Sequence, residues 1–289
     1  VSTWDVRSEC TTGCAEHAVP RVPFTEKARR CAAFAHAAGR ALRDGERMAE
    51  PARLRAHARA VLGSIGVRLV VETPGETAAG LSVPAASPPR GTLVVANHIS
   101  WLDIPALLAV EPVTLLAKRE VGDWPLVGTL ARRAGTRFID RDSPRQLPAT
   151  VAALAGMLRS GRSVAAFPQA TTWCSVGYGV FRRATFQAAL DAGAPVRPVT
   201  IAYEQHGLPS TVAGFLGDEE FLSSVRRVIG ARGLTVRVTV HPPLLPHSGA
   251  HDRRALAELA RAAVNGTVRS PARKHGERVS AGQALGTYL

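Results

Sequence analysis

The chain has 289 residues, of which 46% are hydrophobic and 20% charged, and it carries a net charge of +13. That is enough apolar material for one α/β core with extensions, and it excludes a disordered chain or a scaffold built on disulfides. The charge favours polyanions, meaning nucleic acid or an anionic membrane surface. Nucleic acid is not expected as a partner, because there is no finger, no recognisable motif and little aromatic interleaving.

In chain order, residues 1–22 are polar, without periodicity, and read as a poorly ordered start. Residues 23–66 form an N-terminal helical segment, one helix up to a break at Asp44-Gly45 and a second from about Ala49 to Ser64. Basic residues outnumber acidic ones between Arg21 and Arg59. This pair either lies on a membrane surface or packs on the core with a solvated arginine face. Residues 67–265 alternate strands and helices. Strands are expected at Val67–Glu72, Thr92–Ala96, Val113–Ala117, Thr136–Ile139, Ser163–Phe167, Val196–Tyr203 and Leu234–Val240. Helices are expected at Ser100–Val110, Trp124–Ala134, Leu147–Ser160, Phe181–Ala192 and Asp252–Asn265, and residues 73–90 read as a loop. Residues 266–289 are a basic tail. The alternation predicts an α/β fold, a central, largely parallel sheet flanked by helices, with an N-terminal helical pair. No apolar run reaches the ~18 residues needed to span a bilayer, so any membrane contact is expected to be peripheral.

Three of the four cysteines, Cys10, Cys14 and Cys31, lie in the first 31 residues, and the fourth is Cys174. Cys10, Cys14 and His17 have a loose metal-ligand spacing, but no second ligand pair follows at finger distance. No metal site is expected, and the thiols read as reduced. Cys174 has no apparent partner base and reads as packing rather than as an acyl-accepting nucleophile.

The chemistry concentrates in Asn97-His98-Ile99-Ser100-Trp101-Leu102-Asp103. His98 directly follows an apolar strand, and in α/β sheets ligands bind at the carboxyl ends of strands. An imidazole suits proton abstraction near neutral pH, and a carboxylate on its other nitrogen fixes the tautomer. The spacing alone is weak, since His247 and Asp252 repeat it within a Pro/Gly/Ser-rich loop. Asp103 has a second reading, as the reciprocal residue of a capping box begun by Ser100. A carboxylate committed to the cap would serve the histidine only in part.

Four segments in order resemble the sequence blocks of the glycerolipid acyltransferase family, of the lysophosphatidate acyltransferase type. They are Asn97–Asp103, Gly135–Arg141, Phe167–Thr172 and Val196–Ile201, and Ala117–Val121 with Pro125 and Gly128 also fits the pattern. The resemblance covers about residues 67–245. It implies transfer of a fatty acyl group from acyl-coenzyme A or acyl-carrier protein to the hydroxyl of a lysophosphatidate-like lysophospholipid. His98 would be the general base and Asp103 its orienting partner. Arg141, helped by Arg137 or Lys118, would hold the acceptor phosphate, to which guanidinium binds in a bidentate way. Gln169, Ala170, Thr171 and Thr172 would line the acceptor site. No cofactor is required beyond the thioester co-substrate. The protein is expected to work in the cytoplasm, peripherally at the inner face of an anionic membrane.

The third block departs from the family's usual Phe-Pro-Glu-Gly-Thr-Arg. Gln169 replaces Glu, Ala170 replaces Gly, and Thr172 replaces Arg. The departures point to a different acceptor, such as an amine lipid or a specialised-metabolite hydroxyl. They also leave open a lipid-binding relative without catalysis.

Overall fold

The computed structural model describes residues 6, 8–15, 20–75, 80–83, 89–139, 144–246 and 252–266. Eight helices and eight strands follow one another among them. The first two are α1 (Phe24–Asp44) and α2 (Pro51–Ser64), then β1 (Arg68–Glu72), β2 (Leu93–Ala96), α3 (Asp103–Val110), β3 (Thr114–Lys118), α4 (Val127–Arg133) and β4 (Arg137–Ile139). The rest are α5 (Leu147–Arg159), β5 (Val164–Ala166), α6 (Ala184–Ala192), β6 (Val196–Gln205), β7 (Leu208–Pro209), α7 (Phe221–Gly230), β8 (Leu234–Val240) and α8 (Arg253–Asn265). Helix α7 and the short β7 have no counterpart among the elements expected from the sequence.

The strand order is β1-β8-β6-β2-β5-β3-β4, with β7 pairing β6. The five strands from β6 to β4 run parallel. β8 is antiparallel to β6, and β1 is parallel to β8. The sheet is therefore largely parallel with a reversed edge.

β2 is a run of four buried residues because it is covered on both faces. Val94 and Ala96 join an apolar cluster with Leu54, Leu62, Leu107 and Val228, from α2, α3 and α7. Leu93 and Val95 join a second cluster with Leu158, Phe186 and Leu256, from α5, α6 and α8. Each such side chain contributes roughly 1.5–3 kcal/mol by leaving water, so β2 is fixed in place before any polar contact is considered. That fixes the residues just beyond its carboxyl end.

The N-terminal pair packs onto this layered core, and Met48, Leu54, Ala58 and Leu62 are buried in it. Arg30 of α1 is also buried. Its Nη1 donates to the carbonyls of Ile65, Ile229 and Ala231 at 3.1, 3.2 and 2.9 Å, and its Nε to Glu26 at 2.8 Å. These carbonyls sit at the carboxyl ends of α2 and α7, where a cation meets unpaired acceptors and the negative end of the helix dipole. Gly66 makes this possible. Its φ is +74°, and a Cβ there would lie 2.3 Å from the Arg30 Cζ. No helix among the described residues is long and apolar enough to cross a membrane.

Candidate active site

β2 ends at Ala96 and passes the chain to Asn97. The buried Asn97 amide clips onto β6, donating to the Ile201 carbonyl at 2.9 Å and accepting its N–H at 2.8 Å. The backbone therefore leaves the sheet along a fixed path, and His98 emerges at the edge where the parallel strands end. The His98 side chain is 22% exposed, and its Nδ1 lies 2.8 Å from Asp103 Oδ2. Its ring stacks on Phe167, with centroids 4.1 Å apart.

Asp103 is fully buried. Its Oδ2 also accepts the N–H groups of Ile99 and Ser100 at 2.7 and 2.9 Å, and Oδ1 accepts the Tyr203 hydroxyl at 2.6 Å. A carboxylate surrounded by donors makes Nδ1 of His98 a donor too. The neutral ring then carries a lone pair on Nε2, facing away from the carboxylate. Nε2 has no partner among the described residues. Burial, and then the charge of Asp103, push the Tyr203 hydroxyl well above its ordinary range, so it stays a donor.

Asp103 opens α3, whose N-cap residue is Leu102 without a side-chain cap bond, so only the return half of the expected capping box is present. The Ser100 hydroxyl accepts the Leu102 N–H at 3.2 Å, and the Asp103 carboxylate returns to the Ser100 N–H. The Ile99 and Ser100 N–H groups meet the same oxygen that faces His98, so the turn fixes the carboxylate rather than diverting it. At the other His-x4-Asp pair, Asp252 is the N-cap of α8, accepting from Arg254 and Ala255. His247 lies outside the described residues.

Block three holds His98 from the opposite side. Gln169 is 3% exposed. Its Oε1 accepts the His98 N–H at 2.6 Å, and its Nε2 donates to the Tyr178 carbonyl. Only one orientation of the amide meets an N–H on one side and a C=O on the other, and a glutamate could not make the second bond. The Trp173 N–H donates to the His98 carbonyl at 2.8 Å. Both polar ends of the Gln169 side chain are thus engaged with backbone, one of them with that of His98. The Thr172 hydroxyl donates to the Phe215 carbonyl. Thr171 is half-buried in the same turn. Ala170 has φ +62°, left-handed backbone that favours glycine.

The cations expected to hold a phosphate are less assembled. Lys118 closes β3, is exposed, and pairs with Glu120 at 2.8 Å. Arg137 is exposed at the amino end of β4, whereas His98 and Gln169 follow the carboxyl ends of their strands. Arg141 lies outside the described residues. Cys174 is buried. Burial first, and then the neighbouring Cys10, push its thiol up to about 12.

Sequence reasoning missed Tyr203 and the stacking role of Phe167. The available signal for Tyr203 was its rarity: it is one of three tyrosines, set near the end of a predicted strand.

Residues 83–202 match the acyltransferase family. The lyso-ornithine lipid O-acyltransferase of Pseudomonas aeruginosa is 41% identical over 183 residues, which are 63% of this chain and 69% of that protein. The 1-acyl-sn-glycerol-3-phosphate acyltransferase of Neisseria meningitidis is 39% identical over 161 residues. That match takes in 55% of this chain and 63% of the Neisseria protein, just under two thirds of its length. The crystal structure of the 1-acyl-sn-glycerophosphate acyltransferase from Thermotoga maritima shares the fold, with a TM-score of 0.57 at 20% identity, over 80% of this chain and 85% of that one. Identity at this level across more than two thirds of a relative makes the conclusion plain: the chain belongs to the glycerolipid acyltransferase family.

Proposed function

We propose that this protein transfers a fatty acyl group from a thioester donor, acyl-coenzyme A or acyl-carrier protein, to the hydroxyl of a lysolipid. The observation that carries this reading is the pairing of His98 with the buried Asp103 carboxylate. Asp103 holds Nδ1 at 2.8 Å and leaves Nε2 as a bare base at the mouth of the sheet. The acceptor hydroxyl gives its proton to Nε2 as its oxygen bonds to the thioester carbonyl carbon. The Asp103 carboxylate compensates the positive charge that the ring then carries. Collapse of the tetrahedral adduct breaks the carbon–sulfur bond, and the proton on Nε2 passes to the departing thiolate. Acyl ester and free thiol are the products, and no covalent enzyme intermediate is needed.

For the acceptor, the feature that discriminates is Thr172. It stands where the family usually has Arg, and its hydroxyl is turned onto the Phe215 carbonyl. A site with one guanidinium fewer is less suited to a phosphate monoester. The named relatives include proteins acting on lyso-ornithine lipid as well as on 1-acyl-sn-glycerol-3-phosphate. We therefore favour an amine-bearing lysolipid of the lyso-ornithine type over lysophosphatidate. The basic chain would reach such a lipid from an anionic membrane surface, at the cytoplasmic face.

The test supplies purified protein with long-chain acyl-coenzyme A and, separately, lyso-ornithine lipid, lysophosphatidate and other lysolipids, with products read by mass spectrometry. Product chiefly from lyso-ornithine lipid, absent with His98→Ala, is expected. Product from lysophosphatidate alone would reverse the acceptor assignment. Full turnover by His98→Ala would remove the base.

A further inference from the structure

Three of the four cysteines meet in space although 160 residues of chain separate Cys14 from Cys174. The Sγ atoms of Cys10, Cys14 and Cys174 all lie within 4.8 Å of one another. Cys10 and Cys174 are buried and Cys14 is half-buried, with Ala15, Leu216, Trp173 and Tyr178 around them. We propose that these three thiols form a site for a thiophilic divalent cation such as zinc, which clips the N-terminal segment to the loop of block three.

Four observations carry the proposal. First, a tetrahedral ion with metal–sulfur bonds of about 2.3 Å sets its sulfurs roughly 3.8 Å apart, so the thiols need only a small contraction to bind one. Second, Cys10 and Cys14 have three residues between them, within the usual C-x2–4-C ligand spacing. The 3-10 turn Thr12–Cys14 between them lets both thiols reach the same partner. Third, the Cys174 N–H points at the Cys10 sulfur, 3.4 Å away, an amide-to-sulfur contact of the kind that steadies a metal-bound thiolate. Fourth, among the described residues the segment 8–15 is lightly packed. Cys10 and Ala15 are its only buried residues, and Thr11, Thr12 and Gly13 are exposed. The Thr211 hydroxyl donates to the Cys14 carbonyl at 2.7 Å and orients the turn.

Loading exchanges three S–H bonds for three metal–sulfur bonds and releases three protons to solvent, with no electron transferred. Water or a further donor takes the fourth position. The clip would act on the catalytic corner through covalent neighbours. Trp173, which holds the His98 carbonyl, immediately precedes Cys174, and Gln169, which holds the His98 N–H, is in the same loop.

The test is zinc content, measured by elemental mass spectrometry on protein grown with zinc and purified under reducing conditions. About one zinc per chain is expected in the wild type and in Cys31→Ser, whose cysteine is exposed and outside the cluster. Most of the zinc should be lost in Cys14→Ser, the ligand with least packing to disturb. Cobalt(II) added to stripped wild-type protein should give an intense thiolate-to-metal band in the near ultraviolet, a readout that needs no variant to fold. Chelation should lower the melting temperature of the wild type but not of Cys14→Ser. The proposal is overturned by wild type that holds no zinc and gives no cobalt band while its thiols are free. It is equally overturned by a disulfide among the three under these conditions, or by zinc content unchanged in Cys14→Ser and Cys174→Ser.

Discussion

Asp103 and Arg30 are both buried charges, and each is held by several hydrogen bonds, yet they serve different ends. Around Arg30, the partners are backbone carbonyls at two helix ends and the Glu26 carboxylate. The arrangement closes on itself and joins α1 to α2 and α7. Around Asp103, one partner is an imidazole whose far nitrogen stays open at the edge of the sheet. The difference teaches that burial and satisfied bonds mark a costly group but not a catalytic one. What marks the site is an atom kept reactive by the network rather than consumed by it.

The widest separation between the two regions should come from His98→Ala. Removal of a general base lowers turnover by roughly 10²–10⁴-fold, measured as the initial rate of product formation, while the melting temperature changes little. Arg30→Met should do the reverse. It leaves buried carbonyls unpaired, at about 1–3 kcal/mol for each group left without a donor, and denaturant unfolding should show a loss of a few kcal/mol. The turnover of the molecules still folded should match wild type. A large fall in kcat per folded molecule for Arg30→Met would break the distinction.

Tyr203→Phe probes the boundary between the regions, because it removes a donor to Asp103 without touching His98. A hydrogen bond to a charged group is worth about 1.5–3 kcal/mol, so stability should fall by that order. If Tyr203 positions the carboxylate for catalysis, kcat should also drop by roughly tenfold, about 1.4 kcal/mol, with KM unchanged. A stability loss with kcat intact would assign Tyr203 to packing. The smallest effect is expected from Ala170→Gly. Relief of left-handed backbone at a non-glycine residue should add about 1 kcal/mol of stability, and loss of stability in that variant would mean that the methyl group packs productively.

The pairing of His98 with Asp103 was legible because it is local. An apolar run, a histidine at its end and an aspartate five residues on fall within one strand-to-helix turn, where geometry follows directly from spacing. The same locality made β2, α3 and α5 readable, since apolar patterning reports which face a neighbouring layer covers. The partners were not legible. Gln169 was expected only to face the acceptor, and no local pattern showed its bond to the backbone of His98, 71 residues away in sequence. Helix α7 was missed, although its carboxyl end supplies two of the carbonyls that Arg30 holds.

The sequence by itself determined the fold class, the family and the residues His98 and Asp103 on which the proposed chemistry rests, because apolar periodicity and short motifs are properties of neighbouring residues. Only the tertiary structure decided which groups hold that residue still. It set Tyr203 against Asp103 and Gln169 against His98, buried Arg30 between two helix ends, and brought Cys174 to Cys10 and Cys14. The reason is physical. A buried polar group needs a partner, but which partner it finds depends on how layers fixed by apolar contacts come to rest against one another, and no local pattern records that.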